Sequence, residues 1–179
     1  MTESVRIAAE HRGARTHRPP VLRNTGAHPG GAAPRFRRYP RAEDHMAHVL
    51  FVCLHDAGRS QMSRALFDRA ADGRHTSDSA GSIADPSGSV HPEVIEVMRE
   101  IGIDLSDRRP QRLDDALAER ADLVVTMGCG DTCPFIPGTR YLDWDLPDPK
   151  GQEVDAVRAT RDEIERRVRE LVVALDAAG

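Results

Sequence analysis

An apolar run, Val49-Leu50-Phe51-Val52, leads straight into Cys53, and the chain continues Leu54-His55-Asp56-Ala57-Gly58-Arg59-Ser60. A buried strand that ends on a cysteine, turns through five residues and enters a helix leaves few folds open. It requires a sheet whose strand ends carry loops, with a helix returning over one face. The same junction is a chemical device. Backbone N–H groups of the loop from Leu54 to Gly58 can curl round a tetrahedral anion, and the following helix aims its positive end at the same spot. The Arg59 guanidinium offers a fork of charged donors suited to an oxyanion. That field favours thiolate over thiol and marks Cys53 as a nucleophile. The Ser60 hydroxyl can hydrogen-bond the thiolate and later help it leave. A cysteine buried merely as a small apolar side chain explains none of Gly58, Arg59 or Ser60.

Beyond this junction, strands and helices alternate. His48–Val52 reads as a short buried strand, and 60–71 as a helix with Met62, Ala65, Leu66 and Phe67 inward. A second strand spans 75–80 and stops at Gly81; 82–90 is a Ser/Pro/Gly-rich loop. Pro92 suits the first turn of a helix carrying Val94, Ile95, Val97, Met98 and Ile101, with Gly102 as its stop. A short helix covers 114–120, a buried strand 122–127, and a weaker strand 140–144. The last helix begins near Val154 and sets Val157, Ile164, Val168, Leu171 and Leu175 at helical spacing, a stripe for core packing. Trp144 reads as core and His91 as a helix lead-in. This alternation predicts a parallel sheet with helices on both faces and a site at the carboxyl ends of the strands. Cys53, Cys129 and the loop after Trp144 all follow strands and can converge there.

Charge divides the chain. Residues 1–46 hold nine arginines and no lysine against four acidic residues, a surplus of five, whereas the rest holds 16 basic and 25 acidic residues. The first segment lacks apolar periodicity and reads as a disordered Arg/Pro/Gly-rich extension, or as a start assigned too early, before Met46. It has no apolar core of a secretory signal and little aromatic interleaving for nucleic acid. The domain proper is therefore expected over 47–179. No stretch approaches the ~20 apolar residues of a membrane span. Three cysteines without a framework spacing suit a reducing cytoplasm. Cys129 and Cys133 lack a second ligand pair nearby, so no metal site is expected.

Three segments together resemble the low-molecular-weight tyrosine phosphatase fold and, within it, the arsenate reductases. They are residues 49–62, residues 126–134 (Thr-Met-Gly-Cys-Gly-Asp-Thr-Cys-Pro) and residues 145–151 (Asp-Leu-Pro-Asp-Pro-Lys-Gly), and Ser79-Ala80-Gly81 also fits. The resemblance covers His48 to about Val173. A single Lys150 beside abundant arginine suggests a GC-rich, actinobacterial-like source. The resemblance implies a three-layer α/β/α sandwich around a four-stranded parallel sheet, with arsenate in the loop from Cys53 to Arg59. It implies attack of Cys53 on arsenic, with Asp148 protonating the leaving oxygen. It also implies a thiol relay from Cys53 to Cys129 to Cys133. No bound cofactor is implied. The resemblance implies an external thiol reductant, thioredoxin; the short Cys129–Cys133 spacing also leaves mycothiol with a glutaredoxin-like (mycoredoxin-like) partner open. A monomer is expected.

Two departures stand out. Only Gly130, Asp131 and Thr132 separate Cys129 from Cys133, a shorter run than in the best-known three-cysteine members. Residues four apart in a helix have Cα atoms ~6 Å apart, within disulfide range. Asp56 stands where the family usually carries Asn. It adds negative charge near an anion site, so weaker arsenate binding is expected. Two other functions share the residues. A phosphomonoesterase would use Cys53, Arg59 and Asp148, but Lys150 and Gly151 stand where aromatics would grip a phenyl ring. A non-catalytic oxyanion- or arsenite-binding protein, or a thiol redox sensor, would need no turnover.

Overall fold

The computed structural model describes residues 46–128 and 138–178. The expected 1–46 extension, apart from Met46, lies outside the described residues, as do Cys129 and Cys133 of the expected relay. The elements follow the predicted alternation: β1 (His48–Cys53), α1 (Arg59–Ala71), β2 (Thr76–Gly81), α2 (Pro92–Arg99), α3 (Asp115–Glu119), β3 (Leu123–Thr126), β4 (Arg140–Asp143) and α4 (Val154–Asp176). All four strands are parallel, in the order β2-β1-β3-β4. The chain leaves β1 for β2 on one side and returns to β3 on the other. A crevice therefore opens at the carboxyl end of β1, where the order reverses. Cys53 stands at that end.

Period-two alternation divides β1 between two cores. Val49, Phe51 and Cys53 face a large cluster with residues of α1, α2 and α4, whereas Leu50 and Val52 face a small one with Leu117 and Ala118 of α3. This is the expected three-layer sandwich, with unequal outer layers. Phe51 is fully buried and meets Phe67 edge-on at 5.6 Å and Trp144 at 5.9 Å. Burying one such ring stabilises the fold by ~1.5–3 kcal/mol, and here it braces the strand two residues before Cys53. Trp144 is core, as its sequence position suggested, with the Arg167 guanidinium 6.0 Å over its ring.

The predicted helix faces hold: Met62, Ala65, Leu66 and Phe67 are buried, as are Val157, Ile164, Val168 and Leu171. Helix α2 ends at Arg99, earlier than the Gly102 stop. Gly102 instead takes a left-handed φ of 79° in the turn that follows, where the Ile103 N–H reaches back to the Met98 carbonyl at 3.0 Å. The last periodic residue, Ile101, thus packs on the core from the turn. Among the described residues, no helix is long and apolar enough to cross a membrane.

Candidate active site

The loop between β1 and α1 has its carbonyls occupied from outside. Ser82 N–H donates to the Cys53 carbonyl, Ile83 N–H to Leu54, His91 N–H to Ala57 and Met62 N–H to Gly58, at 2.9–3.0 Å. With carbonyls drawn outward, amide edges are left to line the hollow. No side chain caps the amino end of α1, whose N-cap is Gly58, so its first amides also remain for an anion. Cys53, 3% exposed, lies at the base. Its Sγ accepts the Asp56 N–H at 3.3 Å and lies 3.1 Å from the Ser60 hydroxyl.

Three glycines make the loop possible. A Cβ on Gly81, Cys53's neighbour across the β1–β2 pairing, would come within 2.6–2.7 Å of loop backbone at Leu54, His55 and Asp56. One on Gly58 would press the Pro149 ring at 2.8 Å. Gly128 has φ +71°, and a Cβ there would lie 2.8 Å from an Arg59 nitrogen. Gly81 and Gly58 allow close approaches that a side chain would block, and Gly128 takes a left-handed backbone that L side chains rarely adopt.

Asp56 occupies the left-handed region at φ 51°, which Asp and Asn tolerate better than most residues. Its carboxyl is not in the anion hollow. It is fully buried, with Oδ1 accepting the Ser60 hydroxyl at 2.6 Å and Oδ2 accepting the Gln61 amide at 3.0 Å and the Gln111 N–H at 2.8 Å. Burial pushes its pKa above the usual carboxylate range. The donors Ser60, Gln111 and Ser79, with the nearby Arg64 charge, oppose that shift.

Arg59 is buried, and its guanidinium spans the space to the loop after β4. One nitrogen donates to the Leu146 carbonyl and another to Asp148 Oδ2, both at 3.2 Å. Asp148, its side chain 48% exposed, also accepts the Lys150 N–H at 3.1 Å. Glu93 of α2 accepts the Gly151 N–H at 2.6 Å and ties down the far end of this loop. The structure thus brings Cys53, the 54–58 loop, Arg59, Ser60 and Asp148 together. His91 was missed as part of this site. Its N–H holds the loop, its ring would lie 3.5 Å from a Cβ on Gly58, and its neighbours include His55, Lys150, Asp148 and Glu93. Burial lowers its pKa; Glu93 and Asp148 push the other way. Gln61 and Gln111 were also missed, since only tertiary contact reveals their partner.

A sulfur under an amide loop, an arginine fork and a carboxyl on the facing loop are the groups that attack on a tetrahedral oxyanion calls for. Residues 48–178 match the family model described as low molecular weight phosphotyrosine protein phosphatase. The chain belongs to this family. Within it, the chain is 44% identical over 124 residues to a Halobacterium salinarum protein named "Putative arsenate reductase", covering 68% of this chain and 87% of that one. A glutaredoxin arsenate reductase of Synechocystis is 32% identical over 133 residues, covering 73% of this chain and 99% of that protein. Among solved structures, a thioredoxin-dependent arsenate reductase of Corynebacterium glutamicum superposes with a TM-score of 0.63 at 38% identity. That match covers 75% of this chain and 63% of the other.

Proposed function

We propose that this chain reduces arsenate to arsenite and that Cys53, Arg59, Ser60, Asp148 and the 54–58 loop carry the first chemical step. The observation that carries the reading is the placement of Cys53 Sγ under the loop with Arg59 and Asp148 closing over it. The relatives named for arsenate reduction support the substrate. Arsenate rests on the loop amides and the Arg59 fork. Cys53 thiolate attacks arsenic, an S–As bond forms, and the leaving oxygen takes a proton from Asp148 and departs as water. Cys129 thiolate then attacks Cys53 sulfur. The S–S bond forms as the S–As bond breaks, and arsenic keeps the electron pair, leaving as arsenite. Cys133 attacks Cys129 and frees Cys53 as thiolate. The Cys129–Cys133 disulfide is reduced by an external dithiol, thioredoxin in the simplest case, or by mycothiol with a glutaredoxin-like partner. This cycle belongs in a reducing compartment such as the cytoplasm.

The test is arsenate-dependent NADPH consumption with thioredoxin and its reductase, comparing wild type with Cys53→Ser, Cys129→Ser and Cys133→Ser. Loss of turnover in all three supports the relay. Turnover surviving in Cys133→Ser points to a two-cysteine or small-thiol route. A wild type inactive with either reductant, yet hydrolysing p-nitrophenyl phosphate, makes the chain a phosphatase; a wild type inactive in both assays leaves a binding or sensing protein.

A further inference from the structure

The geometry points to Asp56 as the acceptor of the Cys53 proton, with the Ser60 hydroxyl as the bridge between them. A hydroxyl carries one proton. Ser60 Oγ stands 2.6 Å from Asp56 Oδ1 and 3.1 Å from Cys53 Sγ, so that proton can serve only one of them. While Asp56 is ionised it takes the hydroxyl proton, and in the one-proton state Cys53 is then the thiol, donating to Ser60 Oγ. In the transfer, the Cys53 S–H bond breaks as its proton moves to Ser60 Oγ, while the serine proton moves to Asp56 Oδ1. Ser60 ends neutral, Asp56 a carboxylic acid and Cys53 a thiolate. The hydrogen bonds have reversed: the acid donates to Ser60, and Ser60 donates to the thiolate, which also keeps the Asp56 N–H.

One negative charge has moved from carboxylate to sulfur and none has been added. That matters because Cys53, Ser60 and Asp56 are 3%, 0% and 0% exposed. Two buried anions beneath an incoming oxyanion would oppose each other and the substrate. A shared proton keeps the floor at one charge, which offsets the weaker arsenate binding expected of Asp56. The surroundings suit an acid that switches. The charged groups acting on it are Arg64 of α1 and Arg108 of the segment before α3, while Gln61 and Gln111 are neutral donors. Burial favours the neutral acid, and Ser60, Gln111, Ser79 and Arg64 favour the carboxylate.

The inference rests on Cys53 being the nucleophile, as proposed above, but its test needs no arsenate. The full chain carrying Cys129→Ser and Cys133→Ser is titrated by ultraviolet thiolate absorbance, so that Cys53 alone reports. With Asp56 present, the thiolate signal rises in two steps: a partial plateau while one proton is shared, then a rise as the second proton leaves. Asp56→Asn keeps a residue that tolerates the left-handed backbone and gives one step to full amplitude. Ser60→Ala removes the bridge and lowers the first plateau. At that plateau the infrared spectrum shows a neutral-carboxyl band that Asp56→Asn lacks. Titration in a single step that superimposes on Asp56→Asn, a first plateau unchanged by Ser60→Ala, or no such band would overturn the inference. Two steps in this chain, beside a wild type that turns over no arsenate, would leave the proton acceptor standing and remove only the arsenate reading.

Discussion

The loop from Cys53 to Arg59 and the loop from Asp145 to Gly151 meet over one spot and are held there by different means. The first is a floor. Asp56 and Ser60 are fully buried, its carbonyls take donors from β2's following loop, α1 and His91, and Gly81 lies against its backbone. The second is a wall. Its acid, Asp148, is about half exposed, and what fixes it is one arm of Arg59, its own turn to Lys150 and the Glu93–Gly151 bond. The floor is determined many times over and the wall barely enough. The proposed reaction, which admits an anion and then a second thiol, needs a fixed place for the first event and an approachable side for the next. Arg59 belongs to both, since it begins α1 and reaches Leu146 and Asp148.

Arg59→Lys breaks the comparison most directly. A lysine keeps the charge and loses the fork, so it cannot bind an oxyanion in two places while reaching the wall. We expect kcat/KM for arsenate to fall by ~10²–10³-fold, the cost of a donor aimed at an anion. Steady-state kinetics reads it, and a fall of less than about threefold would mean that the arginine serves only as a strut.

Gly81→Ala strikes the floor alone. Its methyl would lie 2.6 Å from the Asp56 nitrogen, against backbone that cannot swing aside. Overpacking of this kind costs ~1–3 kcal/mol. The denaturation midpoint should fall, and phosphate or arsenate binding by calorimetry should weaken roughly tenfold, about 1.4 kcal/mol. Binding at full strength would show that the loop has slack the contacts do not suggest.

Much of the floor was legible beforehand, because its residues are contiguous: Cys53, Gly58, Arg59 and Ser60 sit in one short run and the strand before them is apolar. The four strands and the buried faces of α1 and α4 were legible for a related reason, since burial imposes periods that local sequence displays. The wall was legible only at Asp148. Nothing local announces that Glu93 will accept the Gly151 N–H from 58 residues away, or that His91 will hold the Ala57 carbonyl. Asp56 was visible as a departure, but the partners of its carboxyl were not. The carboxyl turns under the loop toward Ser60, Gln61 and Gln111, partners that only the fold supplies.

Asp148→Asn separates wall from floor. The amide keeps the shape and can no longer give up a proton. Hydrolysis of a phosphomonoester with a poor leaving group should fall by ~10²-fold, the usual scale for a general acid. Arsenate reduction should fall only about tenfold, because the departing oxygen of arsenate needs less help. Anion binding measured by calorimetry should hardly change. Equal losses in both reactions would mean that the carboxylate acts by holding Arg59.

The smallest effect sharpens the comparison furthest. Glu93→Gln leaves an acceptor for the Gly151 N–H but removes its charge, and a charge-assisted bond is roughly twice as strong as a neutral one. The floor has no part in that bond, so phosphate affinity and the denaturation midpoint should hold. The Asp145–Gly151 loop should loosen, and kcat for arsenate should drop about threefold while KM stays level, a difference of roughly 0.6 kcal/mol in the barrier. His91 stands beside the same carboxylate, which favours its protonated form. Removing the Glu93 charge therefore moves the His91 pKa further down, readable by NMR of the ring protons. A kcat that falls together with phosphate affinity would show that the wall reaches into the floor through His91 and Ala57, and the two loops would then have to be treated as one.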